Sequence, residues 1–492
     1  MKNLPTTLGE LKKSEYEPRS IQKEMRSNLV ESLQKGESIF EGIIGYDDTV
    51  IPDIERAILS GHNINLLGLR GQAKTRIARQ LTRLLDEFVP VVEGSELNDD
   101  PLAPVSQYAK EKIAAEGDKT KITWLSRDER YVEKLATPDV SVADLIGDID
   151  PIKAANLKLS YSDYRVIHYG IIPRSNRSIF VINELPDLQA RIQVALFNIL
   201  QEGDVQIRGF QLRIPLDVKF IFTANPEDYT NRGSIITPLK DRIGSQILTH
   251  YPKDIEIGKK ITAQEAKMTD FQKENIEVSD LSRTLIERIA FMARDSEYVD
   301  SKSGVSARLT ITAFESLLST IERRMLMNNE GKSNARISDM QGVLPAINGK
   351  VELVYEGEQE GAAAVAQHLV SAAIKEEFLM HFPDPSRLSK VTDKNPVQPI
   401  RDWFAAGNVL DILLSDNTAA YQTSLKKVEG LAEFVKQFKP KVKGDELILW
   451  MEFVIYGLSE YSLLLRNQLV KGSQFKDLVG SIFSEEDFFN EN

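Results

Sequence analysis

The chain has 492 residues, 42% of them hydrophobic and 27% charged, which is room for about three domains with sizeable buried cores rather than a disordered chain. A formal net charge of −12 argues against general affinity for nucleic acid or anionic membranes, a local basic patch staying open; the absence of cysteine removes disulfides, thiolate catalysis and cysteine-ligated zinc. The start, Met1-Lys2-Asn3-Leu4-Pro5-Thr6, has no apolar run of a secretory signal and nothing approaches the ~18 apolar residues of a membrane span, so a soluble, cytoplasmic protein is expected.

Residues 1–37 are charged and helix-compatible, as in Ile21-Gln22-Lys23-Glu24-Met25-Arg26, and read as an N-terminal arm or docking helix. The apolar turn Ile39-Phe40-Glu41-Gly42-Ile43-Ile44-Gly45-Tyr46 follows. Ile44 and Gly45 are placed to hold a flat base, with plain core packing as the alternative. A helix over 49–60 leads to the apolar run Ile64-Asn65-Leu66-Leu67, read as a buried strand. Next comes Gly68-Leu69-Arg70-Gly71-Gln72-Ala73-Lys74-Thr75, then a segment from Arg76 to Leu85 with helical spacing. Strand, glycine-bearing loop, Lys-Thr and helix form the layout of a phosphate-binding loop. Glycines let backbone N–H groups turn around an anion, and the helix N-terminus adds partial positive charge. Lys74 would reach the terminal phosphates, Arg76 opens the helix beside them, and the Thr75 hydroxyl would sit on Mg²⁺. Ala73 stands where a second glycine is usual; an ordinary glycine turn is the alternative.

Val89–Val92 reads as a short strand. Residues 97–138 are charged and irregular, with a helix expected near Val105–Ala115. Leu157-Lys158-Leu159-Ser160-Tyr161 and Tyr164–Gly170 suggest a β-hairpin. His168, one of five histidines, reads as a strand residue, since no paired metal spacing surrounds it. Ser178-Ile179-Phe180-Val181-Ile182-Asn183-Glu184 is a central parallel strand that delivers a carboxylate to the sheet edge. Glu184 suits the polarisation of an attacking water. Asn183 stands where an Asp would orient the metal shell; it can accept a hydrogen bond but lacks the charge, with Asp187 close by in sequence. The alternative is a strand ending in a solvated turn. A helix is expected over Leu188–Glu202 and a hairpin over Val205–Pro215. Val218–Ala224 is another buried strand, ending at Asn225-Pro226. Asn225 could bond a phosphate or water, or simply make an Asn-Pro turn. Pro238-Leu239-Lys240-Asp241-Arg242 offers Arg242, either for a surface ion pair or for phosphoryl charge on a neighbouring subunit.

Alternating strands and helices over 38–265 predict an α/β core with a largely parallel sheet. From 266 to 328 a small helical domain is expected, with helices over Leu281–Arg294 and Thr310–Met327. Arg308 opens the second, either facing nucleotide phosphates or making a capping-region salt bridge. Residues 329–492 read as a mostly helical extension: a strand over Ala346–Tyr355, a helix over Gly361–Met380, a proline linker, helix from Trp403 to about Phe438, and an apolar helix over Leu447–Gln468. Nothing catalytic, and no D-x-S-x-S metal motif, is seen beyond residue 310.

The order of these signals resembles the AAA+ ATPases of the magnesium-chelatase I-subunit and MoxR branch, over roughly residues 38–325. Gly68–Thr75 resembles the branch's Walker A, in which alanine before the lysine is a familiar variant. The stretch 142–170 resembles its helix-2 insert. Asn183-Glu184 stands in the Walker B position, Asn225 in sensor 1, Arg242 in the arginine finger and Arg308 in sensor 2. The resemblance implies an AAA+ P-loop αβα core with a parallel sheet, a small helical lid and a mostly helical C-terminal extension. It implies ATP and Mg²⁺ as cofactors, with Thr75, Asn183 and Glu184 around the metal. It also implies a homo-oligomeric ring, taken as a hexamer, that hydrolyses ATP to remodel a partner, and a separate integrin-like (VWA) partner protein. Asn183 puts the hydrolysis rate in question, so a nucleotide-dependent scaffold is the alternative. A DNA-acting motor is a further one, against which the acidic balance speaks.

Overall fold

The computed structural model describes residues 4–160, 163–207, 213–226, 233–385 and 395–478. The chain divides into two compact units, 1–250 and 251–492.

The first unit is built from α1 (Ile21–Lys35), α2 (Val50–Leu59), β1 (Ile64–Leu67), α3 (Lys74–Gln80), β2 (Tyr131–Leu135), β3 (Ser178–Asn183), β4 (Val218–Ala224), α4 (Thr237–Arg242) and β5 (Ser245–Leu248). The strands form a parallel sheet in the order β5-β1-β4-β3-β2. Successive residues of a strand face opposite sides, and here both sides are covered. Ile64, Leu66, Ile179, Val181 and Ile221 share one core cluster with Met25, Ile54 and Ile77 of the helices. Phe180, Ile182, Phe220 and Phe222 belong to a second cluster with Leu188, Leu196 and Leu239. Three layers result, which explains the apolar runs Ile179–Ile182 in β3 and Phe220–Phe222 in β4. The expected N-terminal arm is part of this core: Ile21, Met25 and Leu29 of α1 are buried in it.

Several local expectations are corrected. In the stretch taken as irregular, Ile122–Ser126 pairs antiparallel with Phe88–Val92, and β2 forms the sheet edge. Both strands were masked by polar residues, because each is covered only in part. The expected hairpin instead pairs Gly147–Ile149 with Ile167–Tyr169. Pro151–Leu157 is a helix, because the Asp150 carboxylate accepts from the N–H groups of Ile152 and Lys153, both at 2.9 Å, and Pro151 suits the first helical position. Tyr161 falls outside the described residues. The expected helix 188–202 is two short ones, Ala190–Ala195 and Phe197–Glu202. Asp204–Gln206 does pair with Arg213–Pro215; residues 208–212 of that hairpin lie outside the described set.

The second unit contains α5 (Ile255–Glu265), α6 (Asp280–Asp295), α7 (Arg308–Asn328), α8 (Ala362–His381), β6 (Leu410–Leu413), α9 (Gly444–Glu460), β7 (Leu464–Leu469) and β8 (Gly472–Asp477). β6, β7 and β8 form an antiparallel sheet in the order β6-β8-β7, and Ile276–Glu277 pairs parallel with Ser333–Asn334. Leu285, Phe314, Phe378 and Phe453, from α6 through α9, belong to one core. The strand expected over Ala346–Tyr355 is absent: Leu344–Asn348 is helical, with Pro345 in its first turn, and Leu353 makes only an isolated bridge to Val299. The helix expected to reach Gln468 stops at Glu460, and Ser462, with φ 56°, turns the chain into β7. The helical reading of 403–438 is interrupted by β6. No helix among the described residues is long and apolar enough to cross a membrane.

Candidate functional site

Parallel strands point their carboxyl ends to one edge of the sheet. There β1 runs into Gly68, β3 into Glu184 and β4 into Asn225. The loop after β1 is tightly packed. Gly68 donates its N–H to the Ala224 carbonyl at 3.1 Å, and a side chain at Gly68 would collide with the Thr249 hydroxyl and the Gln72 amide. Gly71 has φ 72° and Ala73 φ 56°, so the loop turns through two left-handed residues before α3 begins at Lys74. Lys74 is 8% exposed. Its Nζ donates to the carbonyls of Gly68 and of Leu69, the latter at 3.0 Å. Leu69 and Thr75 are half-buried, and Arg70 and Arg76 are exposed.

The turn carrying Ile44 and Gly45 is tied to this loop. The neighbouring Tyr46 donates its hydroxyl to the carbonyls of Gln72 (3.2 Å) and His250 (2.7 Å), and its ring lies edge-on to His250 at 4.9 Å. Thr249, next in chain to β5, donates to the Gln72 Oε1 at 2.6 Å. Ile44 is half-buried and Gly45 has φ 83°. Sequence reasoning missed Tyr46, Thr249 and His250 as supports. The only available signal was Tyr46 at the end of a glycine-bearing apolar turn.

Across the strand ends runs a continuous row of polar groups. Thr223 on β4 donates its hydroxyl to the Asn183 Oδ1 at 3.0 Å and accepts from the Glu184 N–H at 3.2 Å. The Asn183 Nδ2 donates to Glu133 on β2 at 2.7 Å. Glu133 also accepts from Arg79 Nε (3.2 Å) and Nη2 (3.1 Å) on α3 and from the Tyr131 hydroxyl (3.2 Å). The Glu133 carboxylate raises the Arg79 pKa; burial, together with this carboxylate, raises that of Tyr131. Glu184 itself has φ 54°, a left-handed backbone that non-glycine residues adopt at a cost. Asn225 is 3% exposed. Glu133 and Thr223 were not foreseen: Glu133 lies in the stretch read as irregular.

Arg242 ends α4, donates to Gln201 (3.0 Å) and to the Pro238 carbonyl (2.7 Å), and stacks over Phe197 at 4.7 Å. Arg308 is in the second unit, exposed at the first residue of α7. The first unit therefore brings Lys74, Thr75, Asn183, Glu184 and Asn225 to one sheet edge, and Arg242 lies in the same unit. Among the described residues no group of three or more His, Asp or Glu side chains is placed to hold a metal. A magnesium ion held mainly by phosphate oxygens and water needs no such cage. The left-handed turn around an enclosed ammonium, at a helix N-terminus, fits a phosphate chain.

Residues 157–244 match the Sigma-54 interaction domain family. The loop after β1, the strand order and this matched segment agree. The first unit has the AAA+-type α/β P-loop fold. Solved structures similar to the chain include a putative ATPase from Cytophaga hutchinsonii, at 17% identity over 73% of this chain and 97% of that one, with a TM-score of 0.30. Another is from the complex of the BchI and BchD subunits of magnesium chelatase, at 17% identity over 65% of this chain and 98% of that one, with a TM-score of 0.33. A third, NtrX from Brucella abortus, is 14% identical over 59% of this chain and 55% of that one, with a TM-score of 0.31. Identities and TM-scores are low throughout, and the fold rests on the chain's own sheet and loop. No curated protein matches the sequence.

Proposed function

We propose that the chain binds ATP with Mg²⁺, hydrolyses it, and works in the cytoplasm as an AAA+ motor that remodels or activates a partner protein. The carrying observation is the Lys74 ammonium enclosed by its own loop at the sheet edge, with Glu184 and Asn225 at the adjoining strand ends. In this reading Lys74 gives up its carbonyl partners to bind the β- and γ-phosphates, and Ile44 and Gly45 flank the base. The Thr75 hydroxyl and the Asn183 side chain hold the Mg²⁺ shell. The ion would draw charge off the phosphates as the terminal group leaves. Glu184 takes a proton from the attacking water, and Asn225 orients that water. Arg242 comes from a neighbouring subunit of a homo-oligomeric ring, taken as a hexamer. Arg308 couples a helical lid, 266–328, to the bound nucleotide, and the extension 329–492 serves the client. A MoxR-like chaperone role accounts for that long extension better than a magnesium-chelatase-like role, and a separate VWA-domain protein is the partner class to look for.

A second reading, a nucleotide-dependent scaffold, is favoured by one observation: the Asn183 amide is engaged on both sides, by Thr223 and Glu133. ATP binding and turnover by the purified full chain separate the two. Lys74→Ala is expected to lose about 100-fold in ATP affinity, the worth of charge-assisted bonds to phosphate. Glu184→Gln is expected to keep ATP and to lose about 10²–10⁴-fold in turnover. Equal turnover in wild type and Glu184→Gln would sink the motor reading and leave the scaffold.

A further inference from the structure

β3 ends in an amide where a metal-orienting carboxylate is expected, and the adjacent edge strand holds a carboxylate against that amide. We propose that Glu133 is a positioning residue of the nucleotide site, supplying the negative charge that Asn183 lacks and fixing the direction of every hydrogen bond in the row. The inference rests on the ATP-binding reading above.

Register brings the two side chains together. Leu135 is the cross-strand partner of Asn183, and Glu133, two residues earlier, points to the same face. Chemistry then sets the polarity. An ionised carboxylate only accepts, so the Asn183 Nδ2 must face Glu133, as it does at 2.7 Å. The Asn183 Oδ1 is thereby turned to Thr223, which donates to it. The Thr223 hydroxyl, its proton committed, is left as the acceptor for the Glu184 N–H. Glu184 is the residue held in a left-handed conformation at φ 54°. A single charge on β2 thus orders the row down to the backbone of the proposed catalytic base. Arg79, bonded to the same carboxylate from α3, ties that charge to the helix opened by Lys74. Glu133 is half-buried, its side chain 25% exposed, so its field acts through protein more than through water.

The test exchanges the charge between strands. Wild type, Glu133→Gln, Asn183→Asp and the double variant are compared for affinity toward a fluorescent ATP analogue in Mg²⁺ and in EDTA, and for melting temperature. Glu133→Gln is expected to keep its EDTA affinity while the Mg²⁺-dependent gain falls about tenfold, the scale of one partly screened charge. Asn183→Asp alone sets two carboxylates in contact, so it melts lower and gains nothing from Mg²⁺ over wild type. The double variant restores an amide–carboxylate pair with the charge on β3 and recovers the Mg²⁺-dependent gain. A purely structural Glu133 would change the melting temperature without moving the ratio of Mg²⁺ to EDTA affinities. The proposal is overturned if Glu133→Gln keeps the full Mg²⁺-dependent gain, or if Asn183→Asp alone matches the double variant. If Glu133→Gln does not fold, the comparison of Asn183→Asp with the double variant decides in the same way. Wild type that binds no analogue in either condition would overturn the ATP reading itself, a distinct result.

Discussion

The two edges of the parallel sheet carry buried polar groups in opposite ways. At the amino edge the side chains are sealed. Glu24 of α1 and Arg130, next to β2, form a two-pronged pair at 2.7 and 2.6 Å, with side chains 3% and 1% exposed. Arg130 also donates to the Arg177 carbonyl at 2.8 Å, and Glu24 accepts from the Asp86 N–H at 2.7 Å. Arg177 pairs with Asp100 at 3.2 Å, and Asp217 accepts from the Ile21 N–H at 2.7 Å. At the carboxyl edge the row from Arg79 to Glu184 opens at its ends: Arg79 is exposed and Glu133 and Glu184 are half-buried, while Asn183 and Thr223 between them are buried, and the backbone at Glu184 is left-handed. A sealed network that fastens one chain segment to another serves folding, because each group would be costly to leave alone. A row that opens to solvent at both ends has the form expected where a ligand completes the bonding; left-handed backbone is common to both edges, at Glu184 (φ 54°) and at Arg177 (φ 62°).

Removing a charge from each edge should therefore give different phenotypes. Glu24→Ala leaves Arg130 buried without its carboxylate and the Asp86 N–H without its acceptor. A loss of about 3–5 kcal/mol is expected, measured by denaturant unfolding of the full chain, with ATP affinity of the folded protein unchanged. Glu133→Gln at the other edge should do the reverse, shifting Mg²⁺-dependent affinity with little loss of stability. If Glu24→Ala abolished ATP binding in protein that is still folded, the division of labour between the edges would be wrong.

How far these features could be read in advance follows from their physics. The phosphate loop was legible because its glycines, Lys74 and Thr75 are adjacent in sequence, and β3 and β4 were legible because both of their faces are buried. β2 was not: Tyr131-Val132-Glu133-Lys134-Leu135 lies at the sheet edge, carries a Glu and a Lys, and looks like loop. Glu133 was lost with it. The Glu24–Arg130 pair spans 106 positions and leaves no local pattern at all. In the second unit the long helices α6, α7 and α8 follow from their periodicity. The misread strand near Ala346 shows alternation overruled by a proline-led helix start.

A smaller effect concerns Glu287 in α6, which is 4% exposed and accepts from the Thr262 hydroxyl of α5. Burial raises its pKa to about 7, against the pull of Thr262 and the Arg294 charge. A carboxyl whose folded pKa lies above its unfolded value binds more protons when folded, so its contribution to stability is full at low pH. That contribution declines as pH rises from the ordinary glutamate range toward about 7. Glu287→Gln keeps an acceptor for Thr262 and removes the titration. The melting temperature of wild type minus that of the variant should fall between pH 5 and pH 8; a flat difference would mean that the Glu287 carboxyl is solvated like an ordinary one.

The smallest effect is expected at Ala73, the left-handed residue just before Lys74. Ala73 has φ 56° and ψ 13°, where a Cβ costs about 1–2 kcal/mol. Glycine would remove that cost and add back about 0.5–1 kcal/mol of chain entropy lost on folding. Ala73→Gly is thus expected to stabilise by no more than about 1.5 kcal/mol, with ATP affinity kept within about twofold, because the backbone already holds the turn that glycine would choose. Ala73→Val separates conformation from composition: a β-branched residue is far worse in the left-handed region, and forcing that turn open should weaken ATP binding more than it lowers the melting temperature. Were Ala73→Gly instead to raise affinity severalfold, the loop in its present form would be underfilled for phosphate, and the strain at the carboxyl edge would belong to the loop as much as to Glu184.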